Sequence, residues 1–330
     1  MVEKRTRQSS IELLRIIAIF FVLIGHVGVV IGLPSKEDWA VTPISSLIRI
    51  LFSSFAVGGV DIFVLISGWF GIRFSCKGLG KFVYQVLFLL WSIYLVVICI
   101  GNVPFTIEGI QISMGLTSGY WFVMAYLGLY VLSPVLNVFC ENATEKQFRL
   151  FLIFFYCFQT YYSWVTGFVN YFEGYSIVLF CGLYLTARYF RIYPIKFVWG
   201  HAWEIYVGCT LVVFVIASFG QWKWGSALRM LRYDNLIVIL ACISLLCVFS
   251  KWQFQNKIIN WLATGCFAVY IIHFNPFLFK YFKIVIIWME NTFNGPILLM
   301  MIALFLVIVF ITCTIIDQIR LRAWTIIAKK

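Results

Sequence analysis

Ile16 to Ser35 reads IIAIFFVLIGHVGVVIGLPS, twenty consecutive residues without Asp, Glu, Lys or Arg. Roughly 20 apolar residues are what an α-helix needs to cross the hydrocarbon core of a bilayer. The pattern recurs from Phe82 to Ile107, Gly109 to Cys140, Leu150 to Phe172, Ile205 to Trp222, Ile258 to Phe279 and Asn291 to Ile316. Of the 330 residues, 63% are hydrophobic and 12% charged, against about 25% charged in an ordinary soluble domain. A soluble fold is excluded, and the reading is an all-α, polytopic membrane bundle.

Taken in order, the runs predict ten helices, near 10–32, 44–70, 82–101, 119–138, 148–166, 175–190, 199–219, 234–250, 258–281 and 296–317. With the N terminus inside, the cytoplasmic segments hold Lys4, Arg5, Arg7, Arg15, Arg73, Lys77, Lys81, Lys146, Arg149, Arg188, Arg191, Lys196, Lys251, Lys257, Arg320, Arg322, Lys329 and Lys330. Outside remain Lys36, Arg49, Lys223, Arg229, Arg232, Lys280 and Lys283. That bias follows the positive-inside rule, and an even helix count places both termini in the cytoplasm. The basic cluster from Lys223 to Arg232 fits it least well.

The formal net charge of +12 would raise nucleic acid in a soluble protein. Here the basic residues stand singly or in small groups between apolar runs, so topology explains the charge and no nucleic-acid partner is expected. Ten cysteines are scattered through apolar segments without CxxC or zinc-ligand spacing, which reads as packing and predicts no metal. The basic start at Lys4, Arg5 and Arg7 resembles a signal peptide, but no small-residue cleavage site follows. No internal repeat and no loop long enough for a soluble domain interrupts the pattern, so residues 1–330 read as one transmembrane domain.

A titratable group inside a membrane span is costly and is a functional candidate by default. Arg15 and His26 are eleven residues apart, which on a helix returns to within about 20° of the same face and separates them by about 16 Å. Ile19 and Val22 lie between them. Ser9-x-x-Glu12 matches a capping box at the start of this helix. Asp61 lies deep in the second span after Gly58 and Gly59; a buried carboxylate calls for a proton, a cation or a hydrogen-bond donor, so a neighbouring Arg or His is its expected partner. His273 precedes Asn275-Pro276, a backbone-loosening sequence. His201 and Glu204 are spaced to pair on one helix face. Arg73, Lys77 and Lys81 form a basic segment that, with Arg15, suits phosphate.

These residues resemble the membrane-bound acyltransferase family 3, which contains many bacterial cell-surface polysaccharide O-acetyltransferases. The resemblance is carried by Ser10-Ile11-Glu12-Leu13-Leu14-Arg15 continuing to His26. It continues through the segment from Gly59 to Phe70 around Asp61, the segment from Tyr120 to Pro134, and Phe267-Ala268-Val269-Tyr270-Ile271-Ile272-His273. The middle, from about 140 to 255, adds little. Where the family often has paired arginines after the second helix, this chain has Arg73, Lys77 and Lys81.

The resemblance implies transfer of an acyl group, most often acetyl, from cytoplasmic acyl-CoA to a sugar hydroxyl of a cell-surface glycan or its lipid-linked precursor. It would act in the bacterial cytoplasmic membrane without a resident cofactor. On that implication Arg15, Arg73, Lys77 and Lys81 bind the donor's phosphates, and His26 is the base that activates the hydroxyl. Asp61 and His273 complete the catalytic set, supported by Glu12, Trp121, Tyr126 and Asn275. The competing reading is a transporter or flippase for such glycans, with His26, Asp61 and His273 as a substrate or proton path.

Overall fold

In hydrocarbon a backbone finds no water to bond, so it must satisfy its own amides and carbonyls. The uncharged runs accordingly fold as helices. The computed structural model describes residues 7–115, 118–167 and 174–327. Lys4, Arg5, Lys329 and Lys330, which enter the topology argument, lie outside the described residues.

The elements in order are α1 (Ser9–Ile31), α2 (Lys36–Val41), α3 (Pro43–Ala56), α4 (Gly59–Phe70), α5 (Cys76–Cys99) and α6 (Ile107–Ser113). A 3-10 turn at Ser118–Tyr120 leads into α7 (Trp121–Asn142), and α8 (Glu145–Thr160) ends in a π turn over Tyr161–Val165. There follow α9 (Ile177–Ile192), α10 (Lys196–Gly200), α11 (Ala202–Trp224), α12 (Leu236–Lys251), α13 (Lys257–Ala263), α14 (Cys266–His273), α15 (Pro276–Thr292) and α16 (Gly295–Ile327). No strand occurs among the described residues.

Among the described residues, six stretches are long and apolar enough to cross a membrane: Ser9–Ile31, Pro43–Phe70, Cys76–Cys99, Trp121–Asn142, Ala202–Trp224 and Gly295–Ile326. The chain is a multi-pass membrane protein. Side chains such as Phe154, Val215, Ile284, Met300 and Ile308 stand more than half exposed on the helices, as lipid-facing residues do. The expected helices near 148–166, 175–190 and 234–250 are present, but α8, α9 and α12 have 16 residues each. That is about 24 Å of helix, short of a hydrocarbon core of about 30 Å.

The helix expected over 258–281 is not continuous. It breaks first at Thr264–Gly265, and the stretch Lys257–His273 then meets Pro276–Thr292 at 90°. Asn275 caps α15 by accepting from the Phe277 amide at 3.0 Å, and Pro276 takes the first helical position, where its missing amide costs nothing. An Asn-Pro pair here starts a new helix instead of loosening an old one.

The chain divides into two compact units, residues 1–73 with 125–260 and residues 74–124 with 261–330. Within the first, α4 packs on both α1 and α9. A Cβ on Gly59 would lie 3.0 Å from the Ala18 carbonyl oxygen, and one on Gly68 only 2.5 Å from that of Tyr184. Small residues permit this approach where lipid supplies no hydrophobic drive for helix association. Within the second unit α14 packs on α16 and α5, with Gly265 against Thr314.

The capping box expected at the start of α1 is absent. Ser9 is inside the helix, whose cap residue is Gln8. The Ser9 hydroxyl donates to Asn260 Oδ1 at 2.8 Å and accepts from the Asn256 amide at 2.8 Å, while Glu12 turns to Arg15. A tertiary contact and an ion pair have replaced the local cap. The expected pairing of His201 with Glu204 also does not form; His201 Nδ1 bonds to the Phe197 carbonyl at 3.2 Å.

Arg232, which fitted the charge bias poorly, is 6% exposed. It bonds Asp234 through Nε at 3.0 Å and Nη2 at 2.9 Å, and Ser163 bonds both residues. Its charge is neutralised inside the unit, so it is no signal of sidedness.

Candidate functional site

α1 runs unbroken from Ser9 to Ile31, so Arg15 and His26 stand on one continuous helix. Arg15 Nη1 is 2.7 Å from Glu12 Oε2, one turn away, with the carboxylate nearly buried and the guanidinium about a third exposed. His26 is half-buried three turns farther along. One end of the helix therefore carries a neutralised ion pair and its far half a titratable ring, with an apolar stretch between.

A cluster of hydroxyls joins Arg15 to residues that the sequence did not mark. Arg15 is within electrostatic reach of Tyr126, and the Tyr126 and Ser67 hydroxyls are 3.0 Å apart. Tyr126 in turn interacts with Tyr184. The Tyr184 hydroxyl accepts from the Ile72 amide at 2.9 Å and donates to Asn137 Oδ1 at 2.6 Å, and Asn137 Nδ2 donates to the Ile72 carbonyl at 2.8 Å. This closed ring pins the chain where it leaves α4. At the preceding Gly71 (φ +75°), a Cβ would lie 3.4 Å from Arg188 Nη1. Arg191 bonds the Trp69 carbonyl and lies over the Trp69 and Phe70 rings, a cation–π arrangement.

Asp61 occupies the first turn of α4 with 0% exposure. Among the described residues neither carboxyl oxygen has a hydrogen-bond partner, so the Arg or His expected beside it is not there. Asp234, Tyr156 and Cys242 are the groups within its electrostatic reach. A narrow cleft opens beside the turn between α3 and α4, lined by Phe21, Ser54, Gly58, Tyr206, Thr210 and Cys242 among others; Asp61 is not part of its lining.

The remaining candidates belong to the second unit, apart from Arg73, which is exposed at the end of the first. His273 is buried at the end of α14, and its Nδ1 donates to the Val269 carbonyl at 2.5 Å. That bond makes Nε2 the acceptor nitrogen of the neutral ring. Asn275 is engaged at both ends of its amide, capping α15 and donating to the Tyr120 hydroxyl at 2.9 Å. Trp121 stacks edge-on with Phe122. Lys77 and Lys81 are exposed, one turn apart at the start of α5.

Comparison with known families reads the same chain. A family model described as an acyltransferase domain, acyltransferase family 3, matches residues 8–316. The chain is a member of acyltransferase family 3. No curated protein and no solved structure matches it. The resemblance drawn from four short segments thus extends over nearly the whole chain, including the middle that contributed little to it, and the protein is a membrane acyltransferase.

For this acyltransferase the sequence reading missed Tyr184, Asn137 and Arg188. Tyr184 and Asn137 sit among apolar neighbours and gain meaning only when their hydroxyl and amide meet around Ile72. Arg188 reads as one more positive charge of a cytoplasmic segment. Gly71, following Trp69-Phe70, was the usable signal, since a glycine there leaves space that a larger side chain would fill.

Proposed function

We propose that this acyltransferase moves an acetyl group from cytoplasmic acetyl-CoA to a hydroxyl of a cell-surface glycan or its lipid-linked precursor. It acts as one domain in the bacterial cytoplasmic membrane, with ten crossings, both termini cytoplasmic and no resident cofactor. The observation that carries the reading is the unbroken α1, with the Glu12–Arg15 pair near one end and His26 eleven residues on, in a chain of this family.

In the proposed reaction the acceptor hydroxyl gives its proton to His26 as its oxygen attacks the thioester carbonyl carbon. The tetrahedral intermediate collapses to the ester, and the departing thiolate takes the proton back from the imidazolium. A positioned neutral His contributes about 10²- to 10⁴-fold as such a base. Arg15, Arg73, Lys77 and Lys81 bind the donor's phosphates through charge-assisted hydrogen bonds. Glu12 holds Arg15 in an ion pair, and Asp61, His273, Trp121, Tyr126 and Asn275 complete or support the site.

The test is transfer of radiolabelled acetyl from acetyl-CoA into the glycan fraction of membranes expressing the protein. Label above membranes lacking it, and absent with His26→Ala, supports the reading. No transfer from any acyl-CoA, with the native glycan supplied, ends it and turns attention to translocation. The buried, unpartnered Asp61 is the observation that a transporter reading would build on.

A further inference from the structure

The buried and half-buried arginines of this chain nearly all have their charge accounted for. Arg15 pairs with Glu12, Arg49 with Asp38, Arg232 with Asp234 and Arg320 with Asp317. Even the exposed Arg191 bonds a carbonyl and lies over two aromatic rings.

Arg188 differs from the four paired arginines in making no ion pair among the described residues. It is half-buried on α9, and its Nε is buried without a hydrogen-bond partner among the described residues. Its guanidinium lies beside Gly71, within electrostatic reach of the Tyr184 hydroxyl, and donates to the Cys140 thiol. Glu141, within electrostatic reach of that thiol, is exposed to solvent.

The surroundings of Arg188 are held in place. The Ile72–Tyr184–Asn137 ring fixes the backbone beside it, and Gly71 offers no Cβ to cover the guanidinium. Tyr184 and Tyr126 link this region electrostatically to Arg15. Yet Arg15 is charge-compensated by a nearly buried carboxylate 2.7 Å away, whereas Arg188 has a planar fork of donors and no carboxylate paired with it among the described residues. Such a fork matches the oxygens of a phosphate in geometry and charge.

We propose that Arg188 binds a phosphate of the acyl donor, supplying the uncompensated charge that Arg15 lacks, with Gly71 keeping the space open. The inference rests on the acyl-CoA reading above. Two sources offer the same chemistry, the donor and an anionic lipid headgroup, and the proposal commits to the donor.

The experiment uses the full chain reconstituted in neutral phosphatidylcholine vesicles, with and without phosphatidylglycerol. Acetyl transfer and the shift in thermal unfolding caused by added CoA are measured for wild type, Arg188→Gln and Arg188→Lys. Loss of a charge-assisted bond predicts a KM for acetyl-CoA raised about 10- to 100-fold in Arg188→Gln with kcat within about twofold. The CoA-induced shift is lost in parallel, and Arg188→Lys falls between. The dependence is the same in both vesicles.

An unchanged KM and an unchanged CoA shift in Arg188→Gln overturn the proposal. So does stabilisation through Arg188 by phosphatidylglycerol with none by CoA. If Arg188→Gln fails to fold, Arg188→Lys decides alone, and a KM within twofold of wild type overturns it. If the wild type transfers no acyl group, the proposed function fails while the CoA shift still judges Arg188: a shift lost in Arg188→Gln supports the phosphate site, and no shift in the wild type overturns it.

Discussion

Two polar regions of the first unit are built to different plans. Around Asp234 the network is closed: Arg232 gives two bonds to one carboxylate, and Ser163 bonds both partners. Around Tyr184 the hydroxyl and amide ring is complete, but the Arg188 beside it keeps an unbonded donor, and Asp61, farther along α4, keeps two unbonded acceptors. A buried polar group without a partner costs about 1–3 kcal/mol. The first region is finished as protein structure, while the second retains hydrogen-bonding capacity for something that is not protein. Closed networks hold helices together, and open ones are where chemistry enters.

The contrast is sharpest if substitutions in the two regions separate activity from stability. The largest expected effect is on His26: His26→Ala lowers acetyl transfer by about 10²- to 10⁴-fold without moving the thermal midpoint. A shifted midpoint with activity retained would remove it from the chemistry.

In the closed network, Arg232→Gln leaves the Asp234 carboxylate buried without its cation and lowers stability by about 3–5 kcal/mol. Denaturation of the reconstituted protein checks this. A loss under about 1 kcal/mol would break the comparison by showing that the network is not closed in the membrane.

Asp61→Asn has no partner to lose, so stability changes by less than about 1 kcal/mol, while transfer falls at least about tenfold if the carboxyl takes part in the reaction. A destabilisation as large as that of Arg232→Gln would mean that Asp61 holds a structural partner and belongs with the closed region.

The smallest effect lies outside the membrane, at the Ser35–Asp38 capping box of α2. The Ser35 backbone amide donates to Asp38 and holds its carboxyl below the usual 3.8. The contribution of this exposed cap is therefore complete above the ordinary carboxylate value and is lost as pH falls through the lowered one. Amide exchange at Trp39 should quicken only below pH 3.8 in wild type and show no such step in Asp38→Asn.

The legibility of this protein in its sequence divides along the same line. The all-helical membrane character and the common face of Arg15 and His26 were readable because a membrane imposes composition and a helix imposes period, whereas of the ten expected spans six stretches among the described residues are long and apolar enough to cross. The capping box was misread because Ser9 had a better partner in Asn256 and Asn260, about 250 residues away. The straight helix over 258–281 was misread because an Asn cap followed by proline starts a helix as readily as it loosens one. Arg188 and Arg232 look alike as isolated basic residues in the sequence. One makes no ion pair among the described residues and the other is locked to Asp234, and nothing local distinguishes them.

By itself, the sequence determined that this chain lives in a membrane as helices, that its first helix aligns Arg15 with His26, and which family its segments resemble. Those are properties of hydrophobicity and periodicity, which act over a few turns. Only the tertiary structure decided which charges are neutralised and which stay open, because pairing depends on side chains brought together from remote parts of the chain. That is why Glu12 compensates Arg15 locally, while the open site at Arg188 appears only once Gly71, Asn137 and Tyr184 have met.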